Sequence, residues 1–325
     1  MRYLEDLISG VVVDCGSYIF SRDEIVSFAH RYDPQPFHIN DEMAGHGLFG
    51  RLIASGLHSA SASRRLVLQT VMQDIFLIGS PGVKRMQMHK PVYSDSAIRV
   101  THTTGNIELL EEWPGVGLVE SLTQGFDAGG NLVITIDGLD WVGSQTLPTD
   151  FDVTPLRMSQ SASMGLRALR RVAEIAPSSS KLGPGKRLYL EDCHVDLTIV
   201  SGEYEVRASD MTAFRAEFDP LPSNGGSRFS ANEWLGICLA GRIFADTFWS
   251  HTEIVGGAGT NFVRWPGSVQ AGDYLRGELR ITHARSLRTR PGLGLIEAEN
   301  VCINQRAEVI SNYSTIAFIR MQAEA

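Results

Sequence analysis

Long apolar runs are missing from this chain. No stretch of about 18 apolar residues appears in its 325, so no transmembrane helix is predicted. The start "MRYLEDLISG" lacks a charged segment followed by an apolar core of the signal-peptide kind, and the two absences together predict a cytoplasmic location. Cysteine is scarce. Cys15, Cys193, Cys238 and Cys302 lie far apart and form no CxxC pair, which argues against a zinc site or a disulfide framework and leaves them as small buried apolar residues. Excess positive charge is also absent: 29 Lys and Arg face 37 Asp and Glu, a net −8, so no broad basic face is offered to nucleic acid. What is present is a globular composition, 43% hydrophobic and 20% charged, with chain enough for two domains.

The chain repeats itself. "YLED" occurs at residues 3–6 and again at 189–192, and the same offset holds without a gap to His38 and Asn224, with ten identities in thirty-six positions. Further on, "PGVGLVE" (114–120) matches "PGLGLIE" (291–297), "GSPG" (79–82) matches "GGAG" (256–259), and Trp141 aligns with Phe318. This reads as a tandem duplication: residues 1–143 as one domain and 187–325 as its twin. Residues 144–186 have no counterpart and contain "TLPTDFDVTP" and "APSSSKLGPGK", rich in linker residues. Between those two runs, leucines and alanines at helical spacing predict one amphipathic linker helix.

Each half begins with a short strand, "GSYIFS" in the first. A helix "RDEIVSFAHRY" follows, opened by Ser21 with Glu24 at its third position. After an Asp-Pro loop comes a longer helix, and then strands dominate, with "AGGN" and "NQRAE" as hairpin turns. Each half is therefore expected to be α+β, a long antiparallel sheet that could wrap a central helix.

The loop after the first helix reads "YDPQPFH", and its equivalent in the second half reads "FDPLPSN". Asp219, Pro220 and Pro222 persist there while Asn224 replaces the histidine. The turn can thus be made without His38, which needs another justification. Prolines 34 and 36 are expected to keep the backbone extended and hold Asp33 and His38 apart, turned into one cavity. For Asp219 the turn role alone is expected.

Order and motifs together resemble the MaoC-like hot-dog proteins, the (R)-specific enoyl-CoA hydratases and related acyl dehydratases. In this sequence the resemblance rests on "FAHRYDPQPFHIND", "GRLIASGLHSAS" and "GSPGVKRMQMHKPVYSDS" in the first half and "SLRTRPGLGLIEAENVCINQRAEVI" in the second. The first looks like the family's D-x-x-P-x-H-x-[DNS] signature, with Asp33, Pro36, His38 and Asn40 in place. Gln35 departs from the asparagine often carried by hydratases of this type. The resemblance implies two hot-dog domains paired as a pseudo-dimer, with an acyl-CoA thioester at their interface, in fatty acid metabolism. A homodimer of such pseudo-dimers is compatible with it, and neither membrane nor nucleic acid is an expected partner. Neither a metal nor a redox cofactor is expected, CoA being part of the substrate.

The activity so implied is that of a lyase, adding water to the α,β double bond of the thioester or removing it. Asp33 and His38 would activate the water, and the Gly56 N–H at a helix start would receive the charge on the thioester oxygen. Gly56 could equally serve close packing, because Gly241 is its expected equivalent in the half without the dyad. Ser55 and His58 are candidates for the pocket wall, although a lone helical histidine such as His58 is more often a packing residue, as His30, His46, His89 and His102 are taken to be. Lys84, Arg85 and Lys90, or Arg285, Arg288 and Arg290, would face the CoA phosphates, or else form solvated faces. Two rival readings are a hot-dog thioesterase and an acyl-CoA-binding protein without chemistry. Fewer residues separate Gly241 from Gly256 than Gly56 from Gly79, which predicts a second central helix shorter by about two turns and room for a bulky acyl group.

Overall fold

A computed structural model describes residues 1–163, 187–219 and 232–322. In the first half β1 (Val12–Phe20) leads to α1 (Arg22–Tyr32), α2 (Pro36–Ile39), α3 (Asp41–Gly45) and α4 (Gly56–Val67). The last runs on through a π turn, Leu68–Met72. Four long strands follow: β2 (Leu77–Met88), β3 (Ser96–Leu109), β4 (Val116–Phe126) and β5 (Leu132–Gly143). After α5 (Thr154–Ser163), the second half gives β6 (Thr198–Val200), β7 (Tyr204–Glu205), α6 (Ala208–Phe218) and α7 (Asn232–Thr247). Then come β8 (Ile254–Thr260), β9 (Val263–Arg264), β10 (Tyr274–Ser286), β11 (Leu293–Ile303) and β12 (Val309–Arg320). The rest of the expected linker helix, and the segment Pro220–Asn224, lie outside the described residues.

Local chemistry accounts for the element boundaries. Ser21 and Glu24 form a reciprocal capping box that opens α1. Asp127 closes the β4–β5 hairpin by accepting from the N–H groups of Gly129 and Asn131. The two central helices, α4 and α7, are buried nearly all round, as helices enclosed by a curved sheet must be. α4 achieves this with small residues. Its buried Ser59 and Ser63 hydroxyls donate to the carbonyls four residues back. α5 is fastened to the start of α7 by an ion pair between Arg157 and the fully buried Glu233.

The strands join in one antiparallel sheet of order β1-β3-β4-β5-β2-β8-β12-β11-β10-β6. The two halves meet where β2 pairs with β8 and β9, through Met86↔Thr260, Gln87↔Gly259, Gly82↔Arg264 and Val83↔Val263. Duplicate positions take matching places on either side of this seam. Gly79 pairs with Trp141 in one half and Gly256 with Phe318 in the other. Phe28 contacts Phe218 while Tyr32 contacts Phe214, the self-complementary pattern of a two-fold axis. Ser61 of α4 meets its own duplicate, Cys238 of α7.

One expectation is overturned. α7 is not a shortened helix: it runs 16 residues, against 12 in α4 plus the five-residue π turn. Gly241 lies ten residues into α7, whereas Gly56 is the first residue of α4, so the two glycines are not equivalent. The length difference falls earlier. Residues 33–55 separate α1 from α4, but only residues 219–231 separate α6 from α7, ten fewer. The extra length of the first half thus lies between α1 and α4, the stretch that also carries α2 and α3.

At the seam a side chain is forbidden. A Cβ on Gly82 would overlap the Val263 carbonyl, and one on Gly259 the Met86 carbonyl, and both glycines have positive φ. Gly259→Ala is expected to lower the unfolding free energy in urea by about 3 kcal/mol, clash and left-handed backbone combined. Gly130→Ala, at positive φ in an open hairpin turn with no neighbour within 4 Å, should cost about 1 kcal/mol. Equal losses in the two variants would show that the seam tolerates a side chain.

Candidate active site

Asp33 is the C-cap of α1, and its carbonyl accepts from the Gln35 N–H at 2.7 Å, a three-residue turn centred on Pro34. The chain does not then stay extended. Pro36 takes the first position of α2, where its missing N–H costs nothing, and the helical turn it starts carries His38 back toward Asp33. Asn40 caps α3 by accepting from the Met43 N–H at 2.9 Å.

His38 and Asp33 come together, with Nε2 3.5 Å from Oδ2. The Nδ1 atom lies 2.7 Å from the Ile53 carbonyl, which can only accept, so Nδ1 carries the proton and the Nε2 lone pair faces the carboxylate. Burial pushes the His38 pKa below its ordinary value, against the opposing pull of Asp33 and of the Ile53 hydrogen bond. Ser55 donates to Asp33 Oδ2 at 2.6 Å and accepts from the Leu57 N–H, so one hydroxyl orients the carboxylate and caps α4. Gly56 follows at the helix start.

These groups share a cavity of about 550 Å³ at the interface of the halves. Asp33, His38, Ser55 and Gly56 line one wall, while β8 (Gly256 to Thr260), β12 (Tyr313 to Phe318) and Trp249 form the other. Lys90 and Arg290, both exposed, line it from either half. Its polar content is small against its apolar lining, the kind of site that excludes water and orients a ligand by a few groups.

Five sequence candidates fall elsewhere. Lys84 and Arg85 sit on the outer face of β2, paired with Glu120 and Asp137. Arg285 and Arg288 are exposed and do not line the cavity, unlike Arg290 in the same run. His58 points into the core, stacked on Phe28 at 4.5 Å and edged by Phe20 and Phe218. Burial there drives its pKa down to about 3. Asp219 repeats the backbone angles of Asp33 but lies outside this cavity.

Other contributors were not legible in the sequence. The Ile53 carbonyl is a backbone group with no residue signature. Gln35 is 3% exposed and lines the cavity, yet its amide meets no hydrogen-bond partner among the described residues. Its place inside the Asp-His motif was the available signal. Tyr313 and His89 also line the cavity from strand or loop positions that periodicity does not mark. The thiols of Cys193, Cys238 and Cys302 are buried and pushed up to about 12, consistent with packing.

Buried neutral histidines link stability to pH. His58 and His102 are held at about 3 and about 4, and His38 is also lowered, all below the 6.5 of an unfolded chain. The unfolded state therefore binds more protons under acid, and stability falls as pH drops below about 6.5, by up to about 1.4 kcal/mol per pH unit for each such histidine. Urea unfolding between pH 8 and pH 5 should show this decline, and His58→Phe should make it shallower. An unchanged slope in that variant would contradict the buried neutral assignment.

Comparison with known proteins points the same way. The MaoC like domain model matches residues 11–117, the segment that holds the Asp33–His38 pair. The uncharacterized protein YdeM of Bacillus subtilis is 30% identical over 111 residues, 34% of this chain and 75% of that protein. Among solved structures, a MaoC domain protein dehydratase from Chloroflexus aurantiacus superimposes with a TM-score of 0.76 at 13% identity, covering 99% of this chain and 98% of its own. A conserved hypothetical protein from Mycobacterium tuberculosis, described as a double hotdog fold, gives 0.64 at 14% identity over 97% and 98%. At such identities the likeness concerns the fold, and it extends over both halves.

Proposed function

The chain belongs to the MaoC-like dehydratase family, and from that premise we propose that it adds water to, or removes it from, the α,β position of an acyl-CoA thioester. The observation that carries the reading is the pair of acceptors 3.5 Å apart, Asp33 Oδ2 and the unprotonated His38 Nε2, on the wall of a mainly apolar cavity. Both are within reach of one water molecule.

In the hydration direction the water oxygen bonds to C3 while His38 Nε2 takes one of its protons and Asp33 holds the other by hydrogen bonding. The electron pair of the double bond moves toward the thioester, and negative charge gathers on its oxygen. The Gly56 N–H, at the start of α4, meets that charge together with the helix dipole. As the charge collapses, the proton on His38 passes to C2, and the enzyme returns to its starting state. Dehydration is the same path reversed. Lys90 and Arg290 serve the CoA phosphates. Ser55 acts through Asp33 as a positioning residue.

The test follows double-bond absorbance over a panel of 2-enoyl-CoA thioesters. Asp33→Asn and His38→Ala are each expected to lower turnover by about 10²–10⁴-fold. The double variant should be little worse than the singles, since both groups act on one water. Because His38 must be neutral to accept the proton and burial lowers its pKa, the acid limb of kcat/KM should fall below pH 6.5. Release of free thiol without loss of the double bond would favour a thioesterase and overturn the reading. Ser55→Ala should reduce kcat about tenfold and cost about 1 kcal/mol of stability through the lost cap, with Ser55→Thr restoring most of both. A kcat untouched by Ser55→Ala would remove its positioning role.

A further inference from the structure

A second cavity of about 300 Å³ adjoins the first. The two share Gln35, Phe37, Leu48, Phe49 and Ile254 as a common wall. Beyond that wall the second cavity is lined by Pro36, Met43, Ala44, Gly47 and Val255 and by the polar His46, Thr252, Arg187, Glu253 and Arg320, of which Arg187 is paired with Glu253. Lys90 and Arg290 border the first cavity but not the second. A thioester whose charged carrier sits at those cations and whose reacting carbons sit at Asp33 and His38 therefore has the second cavity available to the far end of its acyl chain.

Phe49 is the part of this wall that a loop carries. It lies in the loop between α3 and α4, where residues 47–50 form a turn closed by one long hydrogen bond, Gly50 N–H to the Gly47 carbonyl at 3.3 Å. Gly50 has φ of +68°, a conformation glycine adopts without cost. The Phe49 ring rests on bare backbone, because a Cβ on Gly256 would come within 3.0 Å of it. The loop lies between α1 and α4, a connection ten residues longer than the one between α6 and α7 in the second half.

We infer that the second cavity is an acyl-tail subsite and that Phe49, seated on Gly256, is the partition that decides how long a chain the enzyme accepts. The substrate class this implies is a 2-enoyl thioester with a straight apolar chain too long for the first cavity alone, admitted as the Phe49 ring swings off Gly256. The inference rests on the first cavity being the thioester site.

The test measures kcat/KM for trans-2-enoyl-CoA thioesters of four to sixteen carbons, together with dissociation constants for the saturated acyl-CoAs of the same lengths. Each methylene moved from water into an apolar cavity is worth about fourfold, so two or three in the second cavity give tenfold or more. Phe49→Ala is expected to raise the long-to-short ratio at least tenfold in both measurements, and Phe49→Trp to lower it. Met43→Trp, which narrows only the second cavity, should cancel the gain when added to Phe49→Ala. Wild-type protein that hydrates or binds these thioesters but keeps the same length profile in all three variants would overturn the partition and leave the hydratase reading standing. Wild-type protein that neither hydrates nor binds any of them would overturn both.

Discussion

The short pairing of β2 with β8 and β9 is the constraint on which the rest of the molecule depends. It fuses two duplicated sheets through very few residue pairs. Gly82 and Gly259, equivalent positions in the two halves, bring backbone against backbone there because neither has a Cβ to hold the strands apart. Once the sheets are joined, the two central helices must cross beneath the seam. Gly241 of α7 then lies so close to α4 that a Cβ would come within 2.7 Å of the Leu57 side chain. The same seam supplies walls from both halves to the cavity, which lies between β2 and β8 as they diverge.

Duplication followed by divergence explains why the site is lopsided. The groups placed at the reacting carbons, Asp33, His38 and Ser55, come from the first half, while Tyr313 brings a buried hydroxyl to the cavity from the second. The second half contributes surface: the glycines of β8, the inner residues of β12 and Trp249. Asp219 still holds the backbone angles of Asp33, so the turn has outlived the chemistry. The connection that carries the dyad in the first half is ten residues shorter in the second, and Gly256 of β8 is the bare backbone that Phe49 leans on.

Much of this was legible in the sequence. The duplication, the α1 capping box and the hairpin turns follow from local patterns, because local hydrogen bonds and period-two alternation fix them; the approach of His38 to Asp33 through a helical turn did not, since the prolines suggested an extended backbone that held them apart. The placement of the length difference did not follow. Glycine matches suggested that Gly56 and Gly241 correspond, but one glycine starts a helix and the other clears a helix crossing, and residue identity does not distinguish those demands. His58 was similarly ambiguous: at the third position of α4 it could face cavity or core, and only the aromatic cage of Phe20, Phe28 and Phe218 decides. Of the basic residues, Lys90 and Arg290 reach the cavity because of strand and loop direction, which charge counting does not encode.

The dyad itself shows why a motif is not yet a site. Two side chains five residues apart would be an ordinary ion pair if His38 were protonated on both nitrogens, and an ion pair has no lone pair to offer a substrate water. Burial prevents that state, disfavouring the charged ring more than Asp33 and the Ile53 hydrogen bond favour it. The Ile53 carbonyl accepts from the Nδ1–H of the neutral ring and so leaves Nε2 as the acceptor. Ser55 offers the same carboxylate oxygen, Oδ2, a neutral partner in place of a cation. Both Ile53 and Ser55 belong to the stretch that leads into α4, in the segment where the first half is longer than its twin. The chemistry therefore depends on the entry to the central helix as much as on the Asp-His loop, and a copy that shortened that entry had little further use for the histidine.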